Sequence, residues 1–189
     1  MEAFLVSSGI VALAEMGDKT QLLSLLLAAK FRRPIPIILG IFVATIFNHA
    51  FAGAVGNWIT AYVGRDAMRW VLGLSFLAMA AWMLVPDELD DVEAKPARFG
   101  VFGATVIAFF LAEMGDKTQV ATVALAAKYE QLWAVVAGTT FGMMLANVPA
   151  VLLGSKITKV VSMKLVHAIA AAIFAVLGVL TLLNVGNLF

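Results

Sequence analysis

The stretch Leu111-Ala-Glu-Met-Gly-Asp-Lys-Thr-Gln119 decides the fold, because the same nine residues already stand at Leu13-Ala-Glu-Met-Gly-Asp-Lys-Thr-Gln21. Each copy lies inside a long apolar run and carries two carboxylates into it, Glu15 and Asp18 in the first and Glu113 and Asp116 in the second. A charged residue at the centre of a membrane helix costs roughly 2.5 to 3.5 kcal/mol on insertion scales, so four carboxylates cost roughly 10 kcal/mol. A cost of that size needs an offset, and a bound cation is the simplest one.

Around the motifs, 62% of the 189 residues are hydrophobic and 13% charged, with a mean hydropathy of +0.98. That composition excludes an ordinary soluble domain and points to an all-α membrane protein in contact with a lipid bilayer. The chain has no cysteine, so disulfides and thiolate metal sites are excluded. The net charge of +1 by itself says nothing about partners; no nucleic-acid partner and no resident cofactor are expected. The N-terminus lacks a basic region and its apolar run exceeds signal-peptide length, which reads as a retained first span.

That run, Ala3 to Ala29, is 27 residues, longer than the roughly 20 needed to cross, so it must tilt or break. Further spans are expected at about 35–62 and 70–85. Asp87 to Arg98 is hydrophilic and acidic and reads as a solvated linker. The pattern then recurs, with spans at about 99–127, 131–153 and 166–184. The displacement is constant at 98 residues: Glu15 falls on Glu113, Lys30 on Lys128, Gly40 on Gly138 and Gly56 on Gly154. Residues 1–85 and 99–189 are thus two three-helix repeats joined by 86–98. Because three spans are an odd number, the second repeat enters from the opposite face, giving six transmembrane helices as two inverted-topology repeats, a design of secondary transporters. Outside the motifs, Lys30, Arg32, Arg33, Lys95, Arg98, Lys156, Lys159 and Lys164 fall on one side and only Arg65, Arg69 and Lys128 on the other. The positive-inside rule makes the first side cytoplasmic and puts both termini outside.

On a continuous helix Glu15 and Asp18 project from one face, as do Glu113 and Asp116. With the hydroxyls of Thr20 and Thr118 and the amide oxygens of Gln21 and Gln119 they form an all-oxygen ligand set, suited to Mn²⁺ or Ca²⁺ better than to Mg²⁺. Lys19 and Lys117 each follow a glutamate by four residues, the favourable order for an ion pair along a helix. Such pairs leave the site with a formal charge of minus two, which one divalent cation or two protons cancel. Competition between cation and protons for the same carboxylates describes an exchanger. Gly17 and Gly115 allow local unwinding, which frees carbonyls for the ion.

The doubled E-M-G-D-K-T, at Glu15–Thr20 and Glu113–Thr118, resembles the E-x-G-D-[KR]-[TS] signature of a family of membrane cation exchangers that includes Golgi and thylakoid manganese and calcium transporters and bacterial manganese exporters. The likeness covers essentially the whole chain. It implies transport of Mn²⁺, or alternatively Ca²⁺, out of the cytosol in exchange for protons, with the motif acids as ligands. The short chain is more similar to the bacterial members, which implies an inner-membrane protein exporting Mn²⁺.

Other readings compete. The motif acids also suit a purely structural ion-pair network or a divalent cation channel. An intramembrane aspartyl protease carries G-x-G-D and Y-D, and this chain has no Y-D, so no enzyme is expected. His49 and Asn147, equivalent under the repeat, read as interhelical hydrogen-bond formers or as a gate. Pro149 reads as a helix kink, His167 as incidental, and Trp58, Trp70, Trp82 and Trp133 as interfacial anchors.

Overall fold

In the computed structural model, which describes residues 1–63, 65–85, 100–129, 131–153 and 163–184, both copies of the motif interrupt a helix. The first apolar run is split into α1 (Glu2–Glu15) and α2 (Lys19–Phe31), and the fourth into α5 (Gly100–Glu113) and α6 (Lys117–Tyr129). The single helical face expected for each Glu and Asp is therefore corrected: Glu15 closes α1, and Asp18 caps α2. Glycine is the reason. Gly17 and Gly115 take φ of 82° and 78°, the left-handed region that no helix continues through.

The other apolar segments form helices α3 (Pro34–Tyr62), α4 (Arg65–Trp82), α7 (Leu132–Leu153) and α8 (Met163–Leu182), eight helices in all among the described residues. Arg32 ends α2 in a left-handed cap whose N–H reaches the Ala28 carbonyl, and Pro34 opens α3 where a missing N–H costs nothing. Pro149 is accommodated inside α7. Pro34–Tyr62, Leu132–Leu153 and Lys164–Leu182 are each long and apolar enough to cross a membrane, while Ala67–Trp82 and Gly100–Glu113 are shorter apolar helices. The acidic linker at 86–98, together with Gly154, Lys156 and Lys159, lies outside the described residues.

Packing runs between the repeats. α1 lies against α7, and its equivalent α5 lies against α3; α3 meets α7, and α4 meets α8. The register is shared as well. A Cβ at Gly138 would meet the Phe4 carbonyl at 2.5 Å and Ser7, and one at Gly40 would meet Thr105 at 2.7 Å and the Phe102 carbonyl, residues that correspond under the repeat. Phe76 and Phe174, also equivalent, are both fully buried and meet each other at 6.2 Å between ring centroids. Close approach at these glycines substitutes for the hydrophobic driving force that lipid does not supply between helices.

The distribution of polarity is that of a lipid-embedded bundle. Phe47, Phe51, Leu111 and Leu152 are exposed, whereas Ser7, Ser24, Thr45, Asn48, His49, Thr122 and Asn147 are buried. Trp58, Trp70, Trp82 and Trp133 are exposed near helix ends. An aqueous fold inverts this arrangement, since polar groups then prefer the surface.

The packing makes a simple prediction about two glycines. A Cβ at Gly142 would stand 2.5 Å from the Ser8 carbonyl and 2.9 Å from the Ala12 nitrogen, both backbone atoms, whereas nothing lies within 4 Å of a Cβ at Gly9. Gly142→Ala should destabilise the detergent-purified protein by about 1–3 kcal/mol through overpacking. Gly9→Ala should leave the thermal midpoint unchanged or raise it. Equal midpoints for the two variants would contradict the α1–α7 contact.

Candidate functional site

The two unwound motifs fold alike. Asp18 N–H donates to the Glu15 carbonyl at 3.1 Å, and Asp116 N–H to the Glu113 carbonyl at 3.1 Å, so each break is closed by a tight turn. Inside it, Gly17 N–H donates to Gln21 Oε1 at 3.0 Å and Gly115 N–H to Gln119 Oε1 at 2.7 Å. The glutamines thus brace the turns, a task that becomes visible only once the helix has broken. Each break also faces the carbonyl end of one half-helix and the amide end of the next towards the acids, so cations and carboxylates both find complementary backbone dipoles there.

Burial of the expected ligands is nearly complete. Glu15, Glu113, Thr20 and Thr118 are 0% exposed, Asp18 1%, and Asp116 and Gln21 2%; Gln119 is partly buried. The repeats bring the acids into one region: Glu15 stands within electrostatic range of Glu113, Asp18 and Asp116, and Glu113 within range of Asp116 and Lys19. Among the described residues, however, no three His, Asp or Glu side chains converge into a formed metal cluster. The acids share a region without forming a closed cage.

Lys19 makes an ion pair between the halves. Its ammonium lies 2.9 Å from Asp116 Oδ1, across the repeat boundary. This corrects the expected pairing with Glu15: as the first residue of α2, Lys19 leaves the face on which Glu15 ends. Lys117, 1% exposed, donates to the Val85 carbonyl at 3.1 Å. Further groups satisfy individual carboxylate oxygens. Thr118 Oγ1 donates to Glu113 Oε2 at 2.8 Å, and Asn147 Nδ2 donates to Glu15 Oε1 at 3.2 Å while Asn147 Oδ1 accepts from Ser24 at 2.6 Å. Gln21 Nε2 donates to the Ala146 carbonyl at 3.1 Å, tying α2 to α7. Glu15 Oε2 and Glu113 Oε1 are buried without a close hydrogen-bond partner among the described residues, and the Thr20 hydroxyl lies beside the Glu113 carboxylate. Buried acceptors of this kind are costly, and a hard cation is a chemically suitable partner for them.

Two residues of this neighbourhood were harder to find. Asn147 was legible only as a polar residue at the depth of His49. His167, read as incidental, instead lies against the motif: its Nε2 is 2.8 Å from the Met16 carbonyl oxygen, and since a carbonyl only accepts, that nitrogen carries the proton. No sequence pattern announces a contact to a backbone carbonyl.

Comparison with known proteins comes to the same motifs. The family model described as "Divalent cation/proton antiporter GDT1" matches residues 3–91 and again 101–187, one match in each repeat. A protein of Vibrio cholerae named "Putative manganese exporter" is 50% identical over 182 residues, covering 96% of this chain and 90% of its own length. A GDT1-like protein of Synechocystis is 26% identical, covering 96% of this chain and 97% of its own. GDT1-like protein 3 of Oryza sativa subsp. indica is 28% identical, covering 92% and 71%. No solved structure matches.

The turn geometry is open to direct test at Gly115, where φ is +78° and no atom lies within 4 Å of a Cβ, so only the backbone resists a side chain. Gly115→Val should lower stability by about 1–2 kcal/mol, and Gly115→Asn, which tolerates the left-handed region, by less. Thermal midpoints that do not separate the two variants would contradict the unwound turn.

Proposed function

The chain belongs to the divalent cation/proton antiporter family GDT1, and from that premise we propose that it exports Mn²⁺ from the cytosol in exchange for protons, using the buried acids of the two motifs as the shared site. The observation that carries the reading is the gathering of Glu15, Asp18, Glu113 and Asp116 from both repeats, with Lys19 linked to Asp116 across them. Mn²⁺ is preferred to Ca²⁺ as cargo because the Vibrio cholerae relative, at 50% identity, is named for manganese. A divalent cation channel is the second reading, and the closed, cross-linked packing around the acids favours an exchanger over a continuous pore.

In this reading α1 with α2, and α5 with α6, are discontinuous spans, which with α3, α4, α7 and α8 make six. The reciprocal packing of α1 on α7 and α5 on α3 supports an inverted-repeat architecture of 1–85 and 99–189, joined by a cytoplasmic linker at 86–98. Both termini then lie outside a bacterial inner membrane. Four carboxylates against Lys19 and Lys117 leave a formal charge of minus two, and either one Mn²⁺ or two protons neutralises it. Crossing of the hydrocarbon barrier is permitted only for the neutralised site, because uncompensated charge is penalised in low dielectric. The repeats rock about the fixed site, presenting it to each side in turn. Glu15, Asp18, Glu113 and Asp116 are the principal ligands, with Thr20 and Thr118 beside them. Gln21 and Gln119 contribute from amide oxygens that already accept from the glycine N–H groups and retain a second lone pair.

Reconstitution into vesicles with an imposed pH gradient tests the proposal. Wild-type protein should accumulate Mn²⁺ against its gradient when protons run the other way, and Asp18→Asn and Asp116→Asn should each lower the flux by more than about tenfold while the protein stays folded. Full activity in either variant would remove that aspartate from the ligand set, and dissipative flux indifferent to the proton gradient would favour the channel.

A further inference from the structure

Asn147 and His49 hold equivalent places in α7 and α3, yet only one of them is satisfied. Asn147 donates to Glu15 Oε1 at 3.2 Å and accepts from Ser24. His49 is 0% exposed, and neither of its ring nitrogens has a hydrogen-bond partner among the described residues. The register between α3 and α5 repeats that between α7 and α1, with Gly40 against Phe102 and Thr105 where Gly138 lies against Phe4 and Ser7. One residue before His49, Asn48 Nδ2 donates to the Phe110 carbonyl at 3.2 Å, a single turn ahead of Glu113. His49 therefore stands at the level of Glu113 as Asn147 stands at the level of Glu15. Glu113 Oε1 is itself buried without a hydrogen-bond partner among the described residues. An imidazole without a partner and a carboxylate with one open oxygen thus occur at the place where the other repeat makes a bond.

An imidazole with both nitrogens unpaired in a buried site is costly, and an apolar residue there avoids the cost. A cation held between His49 and Glu113 satisfies both groups at once. The geometry points to His49 as a nitrogen ligand of the transported cation, opposite Glu113, and as the residue that makes the site prefer Mn²⁺ to Ca²⁺. Ca²⁺ takes oxygen ligands, whereas first-row transition ions also accept neutral imidazole, so exchanging one oxygen donor for nitrogen weakens Ca²⁺ binding relative to Mn²⁺. Asn147 supplies no such discrimination, since its amide offers a cation only oxygen. The two halves of the site then differ in donor chemistry at equivalent positions.

This inference rests on the proposed transport of divalent cations, and its test separates the two. Purified protein loaded with Mn²⁺ is examined by pulsed electron paramagnetic resonance for coupling to imidazole nitrogen, with ¹⁵N-histidine labelling as a variant-free control. The chain has only two histidines, so His167→Gln isolates the signal of His49. Wild type and His167→Gln should show the coupling and His49→Asn should lose it. In vesicles, His49→Asn should lose more Mn²⁺ flux than Ca²⁺ flux, so that its preference for Mn²⁺ over Ca²⁺ falls by roughly tenfold. Coupling absent from wild type, insensitive to ¹⁵N labelling, or kept in His49→Asn would overturn the assignment, as would an unchanged ion preference; in each case wild-type Mn²⁺ flux leaves the transport reading standing. A wild type that moves no divalent cation overturns that reading and this inference with it.

Discussion

Four carboxylates buried between two broken helices are the constraint from which the rest of the structure follows. In low dielectric each carboxylate needs a partner, and those the chain supplies include Lys19 to Asp116, Thr118 to Glu113 and Asn147 to Glu15. Complete satisfaction by fixed side chains gives a rigid ion-pair network, with no free energy left for a cargo to contribute. On the proposed transport reading, the open oxygens Glu15 Oε2 and Glu113 Oε1 distinguish this arrangement from a structural fastening. Around them the fold does what lipid requires, with glycines where backbones touch and large apolar side chains facing outward.

Duplication brings like groups together, and small departures from it give the two halves different chemistry. Thr118 bonds Glu113 of its own repeat, and Thr20 of the first repeat also lies beside Glu113, while Glu15 is bonded by Asn147. Lys19 reaches across to Asp116, while Lys117 reaches the Val85 carbonyl. The Met16 carbonyl in the first turn meets His167, and the corresponding turn at Met114 is exposed. In a transporter that presents one site to two sides, the two halves need not be alike at any moment, and differences of hydrogen bonding on one repeated frame are a natural expression of that.

Much of this was legible from residues alone, and the limits have physical causes. The repeat and the apolar segments follow from composition and from the constant displacement of the motif, and a first run too long for one straight span already implied a tilt or a break. The side-chain consequences of the break were not legible. Placing Glu15 and Asp18 on one helical face assumed helical φ through Gly17, and once that residue turns left-handed the i to i+4 pairing of Glu15 with Lys19 disappears. Lys19 then finds a partner 97 positions away, a contact that no local spacing encodes. Gln21 and Gln119 were read by their oxygen chemistry alone, whereas in the structure those oxygens accept from the glycine N–H groups of the turns. His167 was passed over because its partner is a backbone carbonyl, which is the same in every sequence.

The account stands on cation and protons competing for one set of carboxylates. The most direct measurement is the number of protons released when Mn²⁺ is titrated into the purified protein in weakly buffered detergent solution near neutral pH, because a metal that displaces protons from its ligands must expel them into solution. Saturable binding accompanied by proton release, both lost in a variant with Asp18 and Asp116 changed to asparagine, is the result the account predicts. Saturable Mn²⁺ binding with no protons released, or release that persists in that variant, would contradict it.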